Sequence, residues 1–127
     1  MEQVSLVEVI CDTSFLIHIA TKRIKNISKL EIDIGQIQFV VPDVVIHELQ
    51  KLSSKDKKQN LVSATLDFSK NLKKISIIGE FADKALIDHI KLHGGIIGTL
   101  DKELKDKVKN AGGSIISLSN DRIVLES

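Results

Sequence analysis

The chain has 127 residues, 43% of them hydrophobic, with one cysteine and 18 basic side chains against 17 acidic ones, a net charge of +1. That length suits a single domain, residues 1–127, with a real core. One cysteine excludes a disulfide framework and a multi-cysteine zinc site, and no apolar run approaches the roughly 20 residues that span a bilayer.

Four Phe with no Trp or Tyr argue against base stacking on an aromatic platform as the binding mode, so Ile and Leu carry the core. The N-terminal stretch is acidic and its apolar run short, unlike a secretory signal. The expectation is a soluble, cytoplasmic protein.

In chain order, "LVEVIC" (6–11) reads as a buried strand, 13–20 as a short helix and 22–34 as a second helix. "IQFVVP" (37–42) is a strand closed by the only proline, placed to open a helix over 43–52. After the polar "SSKDKK", residues 57–73 read as an amphipathic helix with Leu61, Ala64, Leu66 and Phe68 apolar. "KISIIG" (74–79) is a strand. "FADKALIDHIKLHGG" is a helix stopped at Gly94–Gly95. "IIGTL" is a strand, "DKELKDKVKNAGG" a second glycine-stopped helix, and "SIISL" and "RIVLE" are strands. Alternating strands and helices imply an α/β fold with a mainly parallel sheet covered on both faces.

Open α/β sheets bind ligands beyond the carboxyl ends of their strands. Asp12 is the first residue past its strand. Asp101 lies just past strand 96–99, Asp83 a few residues past strand 75–78, and Glu48 in the first two turns of helix 43–52. Each has an ordinary explanation alone: Asp12, Asp83 and Asp101 precede or open helices, where Asp is favoured, and Glu48 can face solvent. Met together, four carboxylates repel. A hard divalent cation, Mg²⁺ or Mn²⁺, resolves that with oxygen ligands and suits phosphodiester hydrolysis. This reading needs the carboxyl groups within reach of one cation.

"VICDTSFLI", "FVVPDVVIHELQKL", "FADKALIDHI" and "IIGTLDKEL" resemble, in order and spacing, the four signature segments of the PIN-domain family of metal-dependent ribonucleases. The likeness runs from about residue 6 to 119. It is nearest to the archaeal and eukaryotic branch with ribosomal-RNA-processing nucleases, and extends to toxin ribonucleases of toxin–antitoxin pairs. The resemblance implies a three-layer α/β/α fold and an endoribonuclease holding one or two Mg²⁺ or Mn²⁺ ions on Asp12, Glu48, Asp83 and Asp101. Ser14 and Thr99 would support them. Water would attack the phosphodiester in line, leaving 5′-phosphate and 3′-hydroxyl ends. One departure stands out: Lys84 occupies the place of a second Asp in the third segment. It favours the competing reading, a non-catalytic PIN fold serving RNA binding or assembly. The implied substrate is RNA, a ribosomal precursor first. A second copy of the chain, an antitoxin and a ribosome-assembly protein are the partners the resemblance leaves open.

Setting the four acids aside leaves the rest of the chain distinctly basic. Lys22, Arg23 and Lys25, and Lys55, Lys57 and Lys58, are the candidate RNA contacts; Lys102, Lys105, Lys107 and Lys109 read more as a solvated face. His89 and His93 are four apart on a helix, a zinc spacing without a third ligand. His18 reads as structural. His47 is expected to point away from Glu48, since helical neighbours do not share a face.

Overall fold

A computed structural model describes residues 6–52 and 59–126. Six strands and six helices follow one another as β1 (Leu6–Cys11), α1 (Thr13–Thr21), α2 (Ile27–Ile34), β2 (Gln36–Pro42), α3 (Asp43–Leu52), α4 (Gln59–Ser69), β3 (Lys73–Ile75), α5 (Ala82–His93), β4 (Ile96–Gly98), α6 (Lys102–Asn110), β5 (Ser114–Ser119) and β6 (Arg122–Glu126). The strands form one sheet in the order β3-β2-β1-β4-β5-β6. All pairings are parallel except β5 with β6. The chain winds outward from β1 to β3, then crosses back to lay β4 on the other side of β1. α1, α3 and α4 pack together, as do α5 and α6, which is the two-faced arrangement that the usual right-handed crossovers give this strand order. This is the expected three-layer α/β/α arrangement. Its topological switch point lies between β1 and β4, where such sheets open a crevice.

The deepest part of the sheet is its carboxyl half. In β1 the first three residues are partly or fully exposed, and Val9, Ile10 and Cys11 are buried; β2 follows the same gradient into Val40 and Val41. Cys11 is a free, fully buried thiol whose pKa burial drives far up, so it serves as a small core residue. Phe15 of α1 presses on Gly98 of β4. A Cβ built on Gly98 would meet the Phe15 ring at 2.8 Å, so only glycine lets helix and strand approach this closely.

Three departures from the sequence expectations have local causes. The strand expected over 74–79 ends at Ile75. Ile77 turns into the core, its N–H bonds to the Ile75 carbonyl, and its own carbonyl accepts from Val44 N at 3.0 Å. Val44 carries one of the orphan amides of α3's first turn, so this segment closes a helix start rather than extending the sheet. The helix expected over 22–34 begins only at Ile27. Before it, Asn26 exchanges two hydrogen bonds with the Ile123 backbone of β6, and Lys25 N donates to the Asp121 carbonyl. The helix expected over 57–73 stops at Ser69, where a turn takes over; its first two residues lie outside the described segments.

The β5–β6 hairpin turns on Asn120 and Asp121, with φ of 51° and 61°. Left-handed conformation at both central residues is what a two-residue type I′ turn requires, and Asn and Asp tolerate it. Among the described residues no helix is long and apolar enough to cross a membrane.

Candidate functional site

Asp12 emerges from the buried end of β1 and is only 6% exposed. It heads α1, yet its carboxylate makes no capping hydrogen bond; the ordinary helix-cap explanation fails here. Instead Thr99, just past β4, donates its hydroxyl to Asp12 Oδ2 at 2.9 Å, and Asp12 N donates to the Gly98 carbonyl at 2.9 Å. The two strands flanking the switch point are thus joined through this residue. Burial raises the Asp12 pKa to about 6; the Thr13 N–H and Thr99 hydroxyl pull it partly back, while the Asp83 and Glu48 charges push it further up.

Glu48 and Asp83 approach from two helices. Between α3 and the turn entering α5 lies a cleft of about 690 Å³, whose lining includes His47, Glu48, Lys51, Phe81 and Asp83. Glu48 is half-buried there and Asp83 exposed. Asp101 is placed differently. Its carboxylate caps α6, accepting from Glu103 N at 2.9 Å and Leu104 N at 3.3 Å, and its own N–H donates to Thr99 Oγ1 at 3.0 Å. Asp101 therefore touches Asp12 only through Thr99. Among the described residues no three His, Cys, Asp or Glu side chains stand close enough to form a ready cage for an ion, so the expected convergence of the four carboxyl groups within reach of one cation is not met: the acids share one edge of the sheet without closing on one point.

The donor set is nonetheless all oxygen. Thr13 Oγ1 and Ser14 Oγ, on the two residues after Asp12, are shut from solvent with no hydrogen-bond partner. Unpartnered buried hydroxyls beside a buried carboxylate suit a hard cation with its waters better than they suit an apolar core.

His47 corrects the sequence expectation. It lines the same cleft as Glu48, because the cleft is wide enough to border two adjacent positions of α3. Lys51, on the same stretch of helix, was missed. Its spacing, four from His47 and three from Glu48, is the signal that marks a shared face. Lys22, Arg23 and Lys25 are exposed on the segment after α1, beside the β5–β6 turn to which Lys25 N is bonded. Lys55, Lys57 and Lys58 lie outside the described residues. Lys105 and Lys109 pair with Glu126 at 3.6 and 3.1 Å, in keeping with a structural face. The His89 and His93 rings lie 4.7 Å apart, and burial, then His93, lowers the His89 pKa; no third ligand joins them among the described residues. His18 Nε2 meets Asp121 Oδ1 at 3.1 Å and ties α1 to the hairpin.

A family model described as a PIN like domain matches residues 9–121. The chain belongs to the PIN-like domain family. Among proteins similar to this PIN-like chain is Ribonuclease VapC4 of Methanocaldococcus jannaschii, 28% identical over 107 residues that cover 80% of this chain and 82% of the relative. The solved structure of the PIN domain endonuclease Utp24 matches with a TM-score of 0.67 at 22% identity, covering 91% of this chain and 90% of that one. The second likeness is one of fold. The family match spans nearly the same residues as the four segments from which the PIN resemblance was read.

Proposed function

We propose that this PIN-like chain is an endoribonuclease that hydrolyses RNA phosphodiester bonds with a bound divalent ion, Mg²⁺ or Mn²⁺. The observation that carries this is Asp12. A carboxylate this buried, at the switch point, its pKa raised first by burial and further by the Asp83 and Glu48 charges, is a destabilising arrangement that a structural role does not explain. Membership of the PIN-like family and similarity to a protein named a ribonuclease support the substrate class.

Asp12, Glu48 and Asp83 would hold the ion, with Asp101 on the same edge and Ser14 beside Asp12. Bare carboxylates repel one another, so a spread set is what electrostatics favours until a counter-charge draws it in. The ion supplies Lewis acidity toward a phosphoryl oxygen. The chain's own part is to fix one carboxylate and steer the substrate. Thr99 holds the Asp12 oxygen in one orientation, so this one carboxylate is already fixed when Glu48 and Asp83 are drawn in. Lys51 in the cleft attracts a phosphate backbone toward the carboxylates. Lys84, next to Asp83, adds positive charge where the family pattern has a second acid.

Ribosomal precursor RNA is the first substrate class, on the likeness of the four segments to that branch. The test is incubation of the protein with structured and unpaired RNAs, including ribosomal precursor, transfer and messenger RNA, with Mn²⁺, Mg²⁺ or chelator. Metal-dependent cleavage absent from Asp12→Asn supports the reading. Preference for transfer or messenger RNA over the precursor points to the toxin role. No cleavage by the parent, with RNA still bound, replaces the nuclease with the binding-module reading.

A further inference from the structure

Phe81 is the one aromatic side chain of its kind left in the open. Of the four phenylalanines, Phe15 is fully buried, Phe39 and Phe68 pack against the core, and Phe81 is 66% exposed. It is also badly chosen for its local structure. It occupies the N-cap of α5 with no side-chain hydrogen bond to the helix, a position where Ser, Thr, Asp or Asn is preferred and a large apolar residue is disfavoured. Two local rules are broken at one residue, and such breaches cluster at functional sites.

Its placement gives the breach a use. Phe81, with Gly79 and Glu80, lines the cleft that holds Glu48 and Asp83, and the same three residues line a second, adjoining cleft of about 300 Å³ with Ile78, Lys84 and Asp88. The ring therefore stands on the divide between the two. Phe81 borders both clefts, so a strand running from the carboxylates toward Lys84 would pass beside it. Every base has a π-face, and an exposed ring beside a cation is what holds an unpaired nucleotide without reading its sequence.

We infer that Phe81 stacks on the base of an unpaired nucleotide next to the scissile phosphate, with Lys84 meeting the following phosphate. The inference rests on the nuclease reading above and adds to it a preference for unpaired RNA at this position. Lys84, lining the same cleft as Phe81, favours a phosphate-bearing nucleotide over an apolar protein segment as its occupant.

The chain has no Trp, so Phe81→Trp makes a single indole reporter at the site. The experiment measures kcat and KM on a short unpaired RNA with Mn²⁺ for the parent, Phe81→Ser, Phe81→Leu and Phe81→Trp. Indole emission of Phe81→Trp is then followed during titration with a non-hydrolysable analogue of the same RNA in Mn²⁺. Phe81→Ser supplies a better cap, so its melting temperature should hold while KM rises roughly tenfold or more and kcat moves less. Phe81→Leu should share that loss. Phe81→Trp should keep the parent KM, and its emission should quench with intact RNA but not with one lacking the stacked base. Parent-like KM in Phe81→Ser or Phe81→Leu, or an unquenched indole, overturns the stacking role and leaves the nuclease standing. A parent that neither binds nor cleaves any RNA overturns both.

Discussion

Thr99 and Asp12 lie 87 positions apart in the chain and 2.9 Å apart in space, hydroxyl to carboxylate. The same hydroxyl accepts from Asp101 N at 3.0 Å, so one small side chain orients a buried acid and anchors the start of α6. Thr99→Val keeps the shape and removes both functions. It leaves a buried carboxylate oxygen without its donor, a loss of about 1–3 kcal/mol. Stability by urea denaturation should fall by that amount, and kcat/KM on RNA should fall at least tenfold. Thr99→Ser should restore most of both.

The Asp12 carboxyl has a pKa raised to about 6 from an ordinary 3.8. The folded state thus prefers the protonated form. That preference stabilises the fold fully below about pH 4 and is lost as pH rises through 6. Asp12→Asn is neutral at every pH. In chelator it should be more stable than the parent by about 3 kcal/mol at pH 8, with the difference shrinking to nothing near pH 4. Denaturant midpoints of the two proteins across that range measure it. A constant difference would place the Asp12 perturbation elsewhere.

A divalent ion requires Asp12 ionised, so its binding and the proton compete. Mn²⁺ or Mg²⁺ at millimolar concentration should raise the melting temperature at pH 7.5. The rise should fade below pH 6 and be absent in Asp12→Asn. Glu48→Gln and Asp83→Asn should weaken the ion-induced shift, because their charges reach Asp12. Thermal melts with and without chelator decide this independently of any RNA.

Gly98→Ala should cost about 1–3 kcal/mol, because its Cβ would lie 2.8 Å from the Phe15 ring. It should also cost activity, since the Gly98 carbonyl accepts from Asp12 N. Phe15→Leu in the same chain should recover part of the stability. Two variants whose effects simply add would mean the ring and the strand do not press on one another.

Much of this arrangement is legible before folding. β1, α3, α5 and α6 follow directly from apolar runs bounded by Asp12, Pro42, Gly94 and Gly112, because helix starts and stops are local events. Asp12 is legible as an acid at a strand end, and Glu48 and Asp83 as acids in the first turns of α3 and α5, for the same reason. What fails is set by distant partners. Ile75–Gly79 alternates like a strand, but the carbonyl of Ile77 is taken by Val44. Lys22–Asn26 has helical content, but Asn26 is held by β6. Asp101 reads equally well as cap and as site acid, and the structure gives its carboxylate to the helix amides. His47 stays hidden because a helical wheel shows which face a residue takes, and not how wide a neighbouring groove is.

The buried Cys11 has a practical corollary. Its thiol is fully enclosed and held in the protonated form, and only the thiolate reacts with disulfides or maleimides. The folded chain should therefore behave toward such reagents as though it had no cysteine. A cysteine introduced on an exposed position beside the cleft becomes the sole addressable handle, ready for a spin label or a fluorophore without first editing the native sequence.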